Sequence, residues 1–266
     1  MIITDFRWRN WEPQIVIESD ASEAVMPIMN QYLRFTTGKR FCTGYTKKGR
    51  SFECPESRQI DSGRQCQLCR SLDDSMPCVQ CMGFCTNPGQ RKRCVAESYS
   101  IYLASFGSLV KVGISHEFRL KQRLVEQGAD FGAKIATMKD GRMIRVHEQR
   151  IKRFLGITDR VMGRQKHLHF FSDPSECIRS LNASIARLSG SPLGGIMGEI
   201  EIFDMRGYYN LADVKPSMQD VEEGTEVEGR VICVKGNMMV VENGTCKCID
   251  GHALIGREVF MNGSGS

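Results

Sequence analysis

At 266 residues, 41% of them hydrophobic and 25% charged, the chain has the composition of a globular protein of two or three compact units, which excludes a disordered or fibrous one. Its formal net charge of +5 is too small to define a partner. The distribution says more: residues 111–166 hold fourteen Lys/Arg against six Asp/Glu and residues 199–266 hold six against twelve, so one region suits phosphate and the other does not. No run reaches the roughly 18 uncharged apolar residues that a membrane helix needs. The start carries Asp5, Arg7 and Arg9 instead of the apolar stretch of a signal peptide, so the expected location is cytoplasmic, away from membranes.

In chain order, residues 1–40 read as an N-terminal β segment. Its strands, near 6–11 and 14–17, have no partner nearby and are expected to complete the small C-terminal barrel or to pack beside the zinc module. Residues 41–95 form a cysteine module: of twelve cysteines, eight fall here, at Cys42, Cys54, Cys66, Cys69, Cys78, Cys81, Cys85 and Cys94. The C-x-x-C pairs Cys66/Cys69 and Cys78/Cys81 have the spacing at which a tight turn lets two thiolates grip one tetrahedral ion. Eight thiols suffice for two structural zinc sites. Cys42 and Cys54 lack a close-spaced partner, and the partition between sites is not readable from spacing. The module is poor in large aliphatics, so metal is expected to supply its folding energy, about 10–16 kcal/mol per structural zinc. A disulfide framework, a redox pair and an iron–sulfur cluster at Cys78/Cys81/Cys85 are the competing assignments. Cys177 and Cys233 read as small buried hydrophobes, and Cys246 and Cys248 as packing residues of one strand face.

Residues 96–189 begin with two β-prone runs, 99–104 and 109–115, around a Gly-containing turn, which predicts a hairpin. A helix over 117–127, closed by Gly128, is expected to turn Leu120, Leu124 and Phe118 inward. A second, over 143–155 and closed by Gly156, turns in Ile144, Ile151 and Leu155. A third starts at Asp173, where Asp-Pro-Ser-Glu supplies an N-cap, a first-turn proline and a capping-box glutamate.

Tyr99 and Tyr102 in the first strand, Lys111-Val112-Gly113-Ile114-Ser115 in the second, Arg123 in the next helix and Glu148 in the one after resemble the GIY-YIG nuclease fold. The run from the cysteine module through these residues to Thr158-Asp159, about two thirds of the chain, is similar to an uncharacterised, mainly archaeal zinc-cysteine domain family distantly related to that superfamily. The resemblance implies phosphodiester cleavage: Tyr99 or Tyr102 helps to activate water, Arg123 steadies the phosphorane-like charge, and Glu148 holds a single Mg2+ or Mn2+. Lys111 stands where the signature has its second tyrosine, and Ser100-Ile101-Tyr102 replaces its Gly-Ile-Tyr. His116 is a candidate acid or base, and Asn182 is the candidate for the family's late asparagine.

Arg145, Arg150, Lys152 and Arg153 surround Glu148 on the most basic helix, and Arg164 and Lys166 follow; these are the candidate phosphate contacts. Residues 190–198 read as a linker. Residues 199–262 read as a small, acidic β-barrel-like domain, a meander of 228–234, 238–241 and 246–249, suited to a protein partner. The expected fold is therefore α+β, with a zinc module, a GIY-YIG-like α/β domain and a small C-terminal β domain. Two functions compete: a metal-dependent endonuclease on DNA or structured RNA, and a non-catalytic factor bound to tRNA, rRNA or the ribosome. Convergence of a tyrosine, Arg123 and Glu148 favours the first; a buried Glu148 ion pair with Arg145 or Lys152 weakens it.

Overall fold

Ile3, Phe6 and Trp8 are the buried residues of the first strand, Ile2–Arg9. Strict alternation would split Ile3 from the other two, but a bulge between Ile3 and Asp5 in the pairing with Glu12–Ser19 shifts the parity, so all three turn inward. The computed structural model to which this strand belongs describes residues 1–19, 22–75, 78, 81, 85, 88–211 and 214–261. The chain divides into two units, Met1–Val79 with Ala212–Ser266 and Gln80–Leu211. It is α+β and mostly sheet, and no described helix is long and apolar enough to cross a membrane.

In the first unit one nine-stranded sheet runs in the order Ser217–Gln219, Thr245–Asp250, Met238–Asn243, Glu226–Lys235, Tyr32–Arg40, Arg257–Met261, Ile2–Arg9, Glu12–Ser19, Ser22–Pro27. The order has two free ends, so the strands form no closed barrel. Nor do the C-terminal strands fold by themselves: Tyr32–Arg40 pairs with Glu226–Lys235 on one side and Arg257–Met261 on the other. Tyr32–Arg40 thereby satisfies the edge N–H and C=O groups that Glu226–Lys235 would otherwise leave open. Its turns fall where the sequence predicts, at Gly236 and Gly244, both with positive φ. Cys233 and Cys248 are buried, as is Cys177 of the second unit.

The second unit is built on an antiparallel sheet in the order Glu201–Asp204, Phe131–Lys139, Ser98–Phe106, Leu109–His116. The expected hairpin is present, with Tyr99 opposite His116 and Tyr102 opposite Gly113. Ile101, Leu103, Val110 and Val112 line one face and are covered by Ile144, Ile151 and Leu155 of the helix Gly141–Leu155 and by Cys177, Leu181 and Leu188 of the helix Pro174–Ser189. The other face meets the helix Leu120–Gln127, whose Leu124 lies against Gly132. Asp173 caps the helix Pro174–Ser189 by accepting from the Ser175 N–H, and Gly128 and Gly156 end their helices in the left-handed region. Phe118 corrects the expectation of burial: residues 117–119 form a 3-10 turn ahead of the α-helix, which swings this ring out of the apolar stripe. Glu201–Asp204, expected among the C-terminal strands, instead extends the sheet of the second unit.

Candidate functional site

Cys42 follows the strand Tyr32–Arg40, Cys54 follows the small hairpin Tyr45–Lys47/Arg50–Phe52, and Cys66 caps the helix Gln67–Leu72, which carries Cys69. The four sulfurs lie within 4.8 Å of one another, and all four residues are buried. The Cys54 and Cys66 sulfurs are 3.9 Å apart, close to the edge of about 3.8 Å of a tetrahedron with Zn–S bonds of about 2.3 Å. The Cys66 N–H points to Cys42 Sγ at 3.2 Å and the Cys69 N–H to Cys66 Sγ at 3.4 Å, donors that favour thiolate. Burial pushes the Cys42 and Cys69 thiols up, Cys69 further because its three sulfur neighbours surround it. Burial also acts on Cys54, but the Arg58 and Glu56 N–H groups outweigh it and bring that thiol down to about 7. Thiols crowded in this way keep their charge only against a cation, and this set can hold a zinc ion.

Around the centre the backbone is fastened by polar groups. Gln65 Nε2 donates to the Gly44 carbonyl at 3.0 Å and to Asp73 at 2.7 Å, and Asp73 also accepts from the Thr46 N–H at 3.1 Å. Against the push of burial, donation by Ser75 and Gln65 holds the Asp73 carboxyl at about 2. Among the described residues these four cysteines are the one group of three or more candidate ligands. The C-x-x-C pair Cys66/Cys69 thus finds Cys42 and Cys54. Cys78 and Cys81 are half-buried and Cys85 is exposed; most of their chain neighbours lie outside the described residues. Cys94 lies in the helix Pro88–Ala96, and its sulfur closes on Gly141 and Tyr99 so tightly that a Cβ on Gly141 would sit 2.5 Å from it.

A different kind of site lies in the second unit, on the sheet face opposite the apolar core. The Tyr102 ring lies across Gly113, where any Cβ would meet the phenol oxygen at 2.5 Å, so the glycine of the Lys-Val-Gly-Ile-Ser strand makes room for it. The Tyr102 hydroxyl and the Gln127 carboxamide are bonded at 2.9–3.0 Å. Lys111, only 7% exposed, sits on the same face with Nζ 5.9 Å from the Tyr102 ring centre and 3.5 Å from the Asp159 carbonyl. Burial, then the positive charges of Arg123 and Lys166, bring the Lys111 amine down to about 7, while Glu148 and Asp159 pull the other way. Burial likewise pushes the Tyr102 hydroxyl up, opposed by the positive charge of Arg123.

Glu148 is 4% exposed, and burial pushes its carboxyl up against the pull of Arg145. Its Oε2 makes no hydrogen bond and lies 3.5 Å from the Arg145 guanidinium, the ion pair that the sequence reading takes as weakening catalysis. A family model matches residues 30–259, a span that contains both sites. The chain belongs to the DUF2797 family. That family is described as a protein of unknown function. No curated protein and no solved structure matches the chain.

In this DUF2797 chain the candidates therefore separate. Tyr102, Lys111, Arg123 and Glu148 share one cluster, which Gln127 and Asp159 join. Tyr99 and His116 form another group, their rings tilted against each other with centres 4.6 Å apart beside Glu97. Gln127 carried a weak sequence signal, one helical turn after Arg123, and Asp159 a weaker one. Asn182 is exposed on the helix Pro174–Ser189. Of the basic candidates, Arg150, Arg153 and Arg164 are exposed, Lys166 is half-buried near Lys111, and Lys152 pairs with Asp159 at 2.9 Å.

Proposed function

We propose that this protein is a metal-dependent, GIY-YIG-like endonuclease of the cytoplasm that cleaves phosphodiester bonds in DNA or structured RNA. The observation that supports this reading is that Tyr102, Lys111 and Glu148, all buried, and the half-exposed Arg123 lie near enough to act on one another's charge, four different functional groups from two hairpin strands and two helices. A buried lysine brought down to about 7 and a buried carboxylate oxygen without a hydrogen bond are features that functional sites concentrate.

In this mechanism Lys111, partly neutral near pH 7, accepts the proton of the attacking water as the new P–O bond forms and the bond to the leaving oxygen breaks. Tyr102, kept protonated by burial and oriented by Gln127, positions the phosphate. Arg123 offsets the charge that grows on the phosphate oxygens. Glu148 would hold Mg2+ or Mn2+; its Oε2, buried without a hydrogen bond and only 3.5 Å from Arg145, fits such a cation, which when bound supplies charge stabilisation at the leaving oxygen. Arg150, Arg153, Arg164 and Lys166 would steer the nucleic acid.

The reading extends to metals and partners. Zinc would fill the Cys42/Cys54/Cys66/Cys69 centre, and a second zinc would use Cys78, Cys81, Cys85 and Cys94. The acidic strands 199–261 would face a protein partner. The Glu148–Arg145 pair favours a second reading, a non-catalytic zinc-containing factor that binds nucleic acid.

The test offers plasmid, single-stranded DNA and cellular RNA, with magnesium or manganese, to the zinc-loaded protein and to Arg123→Ala and Glu148→Gln. Cleavage by the wild type that falls about a hundredfold or more in both variants is the expected result. Salt-sensitive binding without cleavage in all three proteins would replace the enzyme by the binding factor.

A further inference from the structure

Three aromatic rings run in series off the end of the hairpin. Tyr99 and His116 face each other across the two strands, with ring centres 4.6 Å apart and planes tilted by 32°. His116 and Phe118, two residues apart, continue the series at 5.6 Å and 30°. One carboxylate adjoins both inner rungs: Tyr99 Oη donates to Glu97 Oε2 at 3.2 Å, and His116 Nδ1 lies 3.1 Å from the same oxygen without a hydrogen bond to it. Tyr99 is further anchored by its packing on the apolar core. The outermost ring is left to solvent, with Phe118 85% exposed. Beside it Arg119 and Arg123 are about half exposed, their guanidinium groups held by Glu126.

We infer that this ladder is a stacking platform for an unpaired nucleobase, and that the preferred substrate of the site is single-stranded or locally unpaired nucleic acid. The inference rests on the nucleic-acid reading above and adds the substrate class to it. A phenylalanine so exposed gains nothing from the fold, whereas a ring held in series behind two fixed rings is pre-organised to receive one more flat ring. Every nucleobase offers such a face only when it has left its duplex stack, which is why aromatic platforms select unpaired strands. Arg119 supplies a planar cation next to the platform for the flanking phosphate.

The experiment measures fluorescence anisotropy of a labelled twelve-nucleotide oligothymidylate and of a labelled blunt duplex with the full-length protein, in calcium so that no strand is cut. Phe118→Ala is expected to weaken oligothymidylate binding about ten- to a hundredfold while leaving the duplex within about twofold. Phe118→Trp restores the affinity, and its emission, above that of Trp8 and Trp11, is quenched as the strand binds. Unchanged oligothymidylate binding by Phe118→Ala, or equal losses on both ligands, overturns the platform and leaves the nuclease reading standing. Failure of the wild type to bind either ligand overturns both. Phe118-dependent binding in a protein that cuts nothing keeps the platform and removes only the catalysis.

Discussion

Cys42, Cys54, Cys66 and Cys69 bring four groups of one chemical kind together, whereas Tyr102, Lys111, Arg123 and Glu148 bring together four different ones. In the first site neighbouring sulfurs raise the cost of each other's charge, as at Cys69, so the arrangement is complete only with a cation. In the second, an amine, a guanidinium, a carboxylate and a phenol partly offset one another, and the strands and helices hold them. If the cysteine centre takes up the zinc ion that it can hold, ligand binding and folding there are expected to be one event. The polar cluster is a place where folding comes first and its cost is carried as perturbed protonation.

The sharpest way to break this comparison is Cys69→Ser, or chelation. Either should remove one zinc per chain, read by metal analysis, and abolish the cooperative unfolding of the first unit, because a structural zinc contributes about 10–16 kcal/mol. A variant that keeps both its zinc content and its melting transition would show that the four cysteines are a packed core. Glu148→Gln probes the other side: cleavage should fall about a hundredfold or more with the melting temperature hardly moved, since the shape is conserved.

Lys111→Met should separate function from stability. Because the folded value of about 7 lies below the unfolded value of about 10.4, the amine's charge prefers the unfolded chain. The destabilisation is full below pH 7, shrinks as pH rises toward about 10.4, and is absent above it. Replacing the amine should raise stability near neutral pH on the order of a few kcal/mol and flatten that pH dependence, measured by denaturant unfolding, while cleavage is lost. In the wild type, the cleavage rate should climb as pH passes through about 7. The smallest effect is expected from Arg150→Ala combined with Arg153→Ala. Nucleic-acid binding should weaken and the salt slope should drop by about two, with stability changed by less than about 0.5 kcal/mol.

Local features of both regions could be read from the chain. Alternation and turn residues marked the hairpin that carries Tyr102 and Lys111, and Asp173-Pro174, Gly128 and Gly156 marked helix ends, because each depends on neighbours a few positions away. What joins distant segments could not be read. Nothing in the spacing of Cys42 and Cys54 points to Cys66 and Cys69, since that meeting is set by a hairpin and a strand end. The pairing of Tyr32–Arg40 with strands beyond residue 225 is of the same kind. Which sheet face Tyr99 and Tyr102 each occupy relative to the helix Leu120–Gln127 was likewise not legible, nor was the outward turn of Phe118, which depends on a single 3-10 turn.

The sheet of the first unit also has a history in time. Synthesis delivers its leading strands early, yet Phe35 waits for Val227 and Met261, which leave the ribosome only after the whole of residues 80–211. The second unit is thus complete on the nascent chain while the first still lacks the strands that pair with Tyr32–Arg40. During that interval the strand Tyr32–Arg40 has both edges open, and pairing of such high sequence separation is the kind that slows folding.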